Sequence, residues 1–98
     1  RDLKRWRWDK VLVAYQLGRK DMLPGELSYI IREIPGKTRA SALQFAFSLW
    51  EEPDDLLRNA GRGNILRFFN YAVNKKLPQK ALYFWHMIEV ENHPWEQK

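Results

Sequence analysis

The run Pro24-Gly25-Glu26-Leu27-Ser28-Tyr29-Ile30-Ile31-Arg32-Glu33-Ile34-Pro35-Gly36 decides the fold. Its isoleucines invite a strand, yet apolar and polar residues do not alternate. Leu27, Ile30, Ile31 and Ile34 instead stand at i, i+3, i+4 and i+7, which stacks them on one face of a helix. Pro24 is tolerated in a first helical turn, and Pro35-Gly36 breaks the run. The stretch reads as a helix with one aliphatic face that other elements must cover.

Working outward, Trp8, Val11, Leu12 and Tyr15 repeat that spacing and predict a helix stopping at Gly18 and the polar Arg19-Lys20-Asp21. On the other side, Thr38 is expected to N-cap a helix carrying Leu43, Ala46, Phe47 and Trp50. Ala42, Phe45 and Leu49 widen its stripe beyond half the circumference, so cover on two sides is expected. Pro53 is expected to end it, with Asp54-Asp55 capping one short turn, Leu56 to Ala60, closed by Gly61. Asn64 can cap the next helix, where Ile65, Phe68, Phe69 and Ala72 align and Lys75-Lys76 suit the negative end of the dipole. Leu77-Pro78 opens the last, with Ala81, Phe84, Trp85 and Ile88 on one face and a stop by Asn92.

The fold class is therefore all-α, with about five helices. A basic, aromatic segment over 1–22 holds the first helix. Two helix-turn-helix hairpins, 26–52 and 64–92, follow and stack like an α-solenoid, and 93–98 form a tail. Helices three and five align without gaps, Ser41-Ala42-Leu43-Gln44-Phe45 against Lys80-Ala81-Leu82-Tyr83-Phe84. A period in the high thirties belongs to helical-repeat arrays. An array of two hairpins leaves its outer faces without neighbours, which predicts a partner.

Composition narrows the function. Ninety-eight residues and 11.8 kDa allow one domain, and 45% apolar with 30% charged residues reads as globular. Cysteine is absent, which excludes a disulfide framework and the usual zinc knuckles. His86 and His93 alone build no metal centre, and no apolar run is long enough to span a bilayer. The chain opens on Arg1, from which a trimmed or processed product is expected.

Catalysis finds no constellation. Gly61-Arg62-Gly63 is too short for a phosphate loop. Glu51-Glu52 and Asp54-Asp55 bracket Pro53, where capping and solvation suit them better than shared acid–base work. His86 has no companion on its helix, and His93 has only Glu91 nearby. A non-enzyme without cofactor or metal is the expectation.

Charge and aromatics point to binding. Seventeen cations against 12 acids give net +5 and a pI near 9.7. Lys4, Arg5, Trp6, Arg7 and Trp8 interleave cations with indoles, while the last ten residues hold three glutamates and one lysine. Arg5, Trp6, Arg7, Trp8 and Trp95 are the candidate partner-binding residues, since half-wet indoles and arginines anchor interfaces. Arg62, Arg67, Lys75, Lys76 and Lys80, with Arg58, form a second basic region.

The second hairpin resembles a pentatricopeptide repeat. Tyr71, Leu77, Phe84, Met87 and Pro94 fall at the family's offsets over 64–95, while Lys80 and Lys75 replace its usual alanine and glycine. The tetratricopeptide fold is a close architectural neighbour. The resemblance places base-reading positions at Ile65 and Trp95, but isoleucine cannot hydrogen-bond a base and indole donates only one bond. It also implies an organellar setting. The expected function is a non-catalytic accessory subunit making protein–protein contacts in a larger assembly, on the mitochondrial matrix side. A respiratory-chain complex, ATP synthase and the mitochondrial ribosome all fit. The alternative is RNA binding through the basic, aromatic N-terminal arm.

Overall fold

The computed structural model describes residues 3–92, with side chains at 5–91. The tail, with His93, Pro94 and Trp95, lies outside the described residues. These form six α-helices and no strand, and the chain divides after Asn64 into two compact units.

The first unit holds α1 (Leu3–Gln16), α2 (Leu23–Glu33), α3 (Lys37–Leu49) and α4 (Pro53–Ala60), with 3-10 turns at Lys20–Met22 and Arg62–Asn64. The deciding stretch is α2, and α1, α3 and α4 all pack on it. Leu27, Ile30 and Ile31 have no exposed surface and Ile34 keeps 4%. Each such side chain contributes about 1.5–3 kcal/mol by leaving water. Each neighbour brings a buried alanine to this core: Ala14 from α1, Ala42 and Ala46 from α3, Ala60 from α4. A methyl side chain lets helix backbones approach closely.

Three details differ from the expectation. The basic, aromatic segment is not an arm, because α1 already begins at Leu3. Thr38 is not the N-cap of α3; Gly36 holds that position at φ +82, and the helix starts at Lys37. Arg39 secures the junction instead, donating to the carbonyls of Ile31 at 2.7 Å and Arg32 at 3.1 Å, at the end of α2. Finally, Pro53 does not end a helix but begins one. The chain turns extended at Trp50, and α4 runs eight residues from Pro53, whose missing N–H needs no partner there. That helix makes six where about five were expected. Arg58 reaches back to Asp54 and Asp55, both at 3.0 Å.

Asn64 is the one buried polar side chain in the described core, 3% exposed. Its amide donates to the carbonyls of Ser28 at 3.1 Å and Ala60 at 3.3 Å, latching the end of α4 to α2.

The second unit is a hairpin of α5 (Ile65–Asn74) and α6 (Pro78–Asn92). Phe68 and Phe84 are fully buried with ring centroids 5.9 Å apart. Leu77 N–H donates to Ala72 O at 2.8 Å to close the turn, in which Lys76 takes a left-handed φ of +58.

Candidate interaction surfaces

The inner flank of α1 is tied down by charge and aromatics. Arg7 and Lys10, one turn apart, both reach Glu26 of α2, at 3.0 and 2.7 Å. The Arg7 guanidinium also lies 4.1 Å from the centre of the Tyr29 ring, a cation–π placement. On the adjoining flank, Trp8 and Tyr15 meet Phe45 of α3 edge-on at 5.6 and 5.2 Å. Glu26→Gln keeps the shape but removes the charge that holds two cations. It should lower stability by about 1 kcal/mol in a urea melt, shrinking in concentrated salt. An unchanged midpoint would show that the pairing holds nothing.

The flank of α1 beyond Lys10 is left open. Trp6, Val13 and Leu17 stand at i, i+7 and i+11, with 55%, 52% and 73% of their surface exposed. They line a shallow apolar groove that Ala14 and Met22 floor, rimmed by Asp9, Lys10 and Arg19. Arg19 sits 3.4 Å from Asp21, and that hydrogen bond holds the Asp21 carboxyl below its ordinary pKa.

The candidate partner-binding residues thus separate. Arg5 and Trp6 face solvent, Arg5 beside Asp9 at 3.8 Å. Arg7 and Trp8 are half-buried structural contacts, and Trp95 lies outside the described residues. The basic region separates too: Arg58 and Arg62 belong to the first unit, the rest to the second. Lys75 and Lys76 occupy the hairpin turn, with Lys80 in the first turn of α6. Lys75 lies 5.7 Å from the Tyr71 ring centre, and burial pushes the Tyr71 hydroxyl above its ordinary pKa. Arg67 sits on α5, about 12 Å from Lys75 at ~1.5 Å per residue.

A second exposed apolar side lies on the hairpin. Trp85 is not buried with Phe84 and Ile88; 46% of it is exposed, and its ring leans on Phe69 at 5.6 Å. Leu66, Val73 and Leu82 are still more exposed, at 59%, 51% and 67%. Sequence reasoning did not single out the exposure of these, nor that of Val13 and Leu17, nor the Glu26 clamp. A helical stripe was visible in each case, since Trp6, Val13 and Leu17 keep the spacing that Trp8, Val11, Leu12 and Tyr15 also keep.

Among the described residues no three His, Asp or Glu side chains gather as a metal would require, and no helix is long and apolar enough to cross a membrane. No family model, curated protein or solved structure matches the chain significantly.

Proposed function

We propose that the chain is a non-catalytic interaction subunit that docks on another protein of a larger assembly through the outer flank of α1. The observation that carries this is the exposed stripe Trp6, Val13 and Leu17, whose burial needs a partner. Charge describes that partner. Residues 3–22 hold six cations (Lys4, Arg5, Arg7, Lys10, Arg19, Lys20) and two acids (Asp9, Asp21), and with Glu26, which clasps Arg7 and Lys10, the surface is +3. Its partner is an apolar protein surface bordered by carboxylates. The resemblance of 64–95 to pentatricopeptide hairpins supports a mitochondrial, matrix-side assembly, and the α2–α3 and α5–α6 hairpins are the pieces a solenoid-like stack would use.

RNA binding is the competing reading, favoured by Arg5 and Trp6 standing exposed side by side. Glu26 holds Arg7 and Lys10, which withdraws two cations from any phosphate. The test is affinity purification of the tagged chain from its source cells, followed by native electrophoresis. We expect stoichiometric, nuclease-resistant co-migration with a high-mass complex, lost in Trp6→Ala and Leu17→Glu while their thermal melts match wild type. Capture that survives both variants overturns the reading, and a steeply salt-dependent oligonucleotide shift lost in Arg5→Ala favours RNA.

A further inference from the structure

The hairpin of the second unit has two apolar sides and hides one. Phe68, Ala72 and Phe84 are fully buried. On α5, Leu66, Phe69 and Val73 follow at i, i+3 and i+7 along a neighbouring face, and on α6 Leu82 and Trp85 stand out from the helix. The two stripes join, because Phe69, Pro78, Ala81, Leu82 and Trp85 line one shallow groove across both helices. This is a continuous two-helix surface, unlike apolar residues scattered singly.

Its charges are arranged end to end. At the turn, Lys76 borders the adjoining groove beside Val73 and Ala81. Lys75 lies over Tyr71 instead. At the other end, Glu89 continues the stripe of Leu82 and Trp85 at i+7, exposed. From Pro78 to Glu89 is about 16 Å of helix at ~1.5 Å per residue, and Leu82 and Trp85 straddle the midpoint. A matching surface must therefore be apolar at its centre, acidic opposite Lys76 and basic opposite Glu89.

The same face turned end for end meets that description. We propose that the α5–α6 face binds a second copy of this chain, antiparallel, in an isologous pair of hairpins. A half-turn about an axis across the helices lays Leu82 and Trp85 over their copies and sets each Lys76 against Glu89 of the other chain. A parallel pairing of the same faces would bring Lys76 against its own copy and Glu89 against its own, so like charges disfavour it. Two helices of this length present on the order of 1,000 Å² across both copies, the lower edge of specific interfaces, where association is weak and reversible.

This inference is independent of the α1 reading and is tested apart from it. Sedimentation equilibrium of the full chain from about 1 μM to about 1 mM should show a monomer–dimer equilibrium across that range. Lys76→Glu and Glu89→Lys should each weaken the dimer by about tenfold. An equimolar mixture of the two, and the double variant, should recover it, because opposite charges face each other again at both ends. Leu82→Glu should abolish dimerisation and Leu82→Gln should weaken it, with helical circular dichroism and melting unchanged. A monomer throughout, a dimer indifferent to Leu82→Glu, or single variants that the mixture fails to rescue would each overturn the proposal. None of these variants touches Trp6 or Leu17, so failure here leaves the capture experiment on α1 unaffected.

Discussion

Gly61→Ala is expected to lower the melting temperature by about 15 °C. Gly61 closes α4 at φ +105 and ψ 107, a region an L side chain enters only under strain. An added Cβ would also lie 2.5 Å from the Ser28 hydroxyl oxygen and 2.8 Å from the Asn64 amide nitrogen. The first effect costs about 1–3 kcal/mol. The second forces apart Ser28 and Asn64, whose hydrogen bond fastens α4 to α2, for about 1–2 kcal/mol more. A total near 3 kcal/mol corresponds to roughly 12–24 °C in a domain of this size. Gly63→Ala is the control, with open space around its Cβ and an ordinary backbone, and should change stability by no more than about 0.5 kcal/mol. Circular dichroism melts of both decide it: equal curves would mean the close approach at Gly61 is absent.

Ile30→Ala should remove about 3–4 kcal/mol, measured by urea denaturation. Ile30 has no exposed surface and lies on the helix that α1, α3 and α4 share. Deleting its three outer carbons leaves a cavity whose walls cannot all relax, because each neighbour is fixed elsewhere: α1 by Glu26, α3 by Arg39, α4 by Asn64. Against a typical total of about 5–15 kcal/mol, that loss is a large share. Val13→Ala removes two carbons from a side chain 52% exposed and should stay within about 0.5 kcal/mol. If both variants unfold at the same urea concentration, α2 is not the centre of the first unit.

The helices were legible because their core residues keep a strict period. Leu27, Ile30, Ile31 and Ile34 are all buried as their spacing predicts, and Gly18, Pro35-Gly36 and Asn92 mark boundaries within a residue or two. The fourth helix was not legible as such, because eight residues hold barely two periods and a proline both ends helices and begins them. Periodicity also states which residues share a face but not which of two apolar faces wins burial. On α1, Val11 is buried and Trp8 and Leu12 are half-buried, but Tyr15 of the same stripe keeps 43% of its surface exposed and the stripe through Trp6 faces outward; on α6, Ile88 was covered and Trp85 was not. The Glu26 clamp joins residues 16 and 19 apart in the chain, a separation at which no local pattern survives.

The latch at Asn64 bears on the order in which the first unit assembles. The α2–α3 hairpin joins neighbours in sequence, whereas Asn64 meets Ser28 across 36 residues, a loop that closes late because its entropy must be lost before any contact offsets it. Interactions completed after the rate-limiting barrier govern how fast a native chain comes apart rather than how fast it forms. The small junction of Ser28, Gly61 and Asn64 is therefore expected to set the unfolding rate and the isoleucines of α2 the folding rate, which the two limbs of a denaturant chevron for Gly61→Ala and Ile30→Ala check.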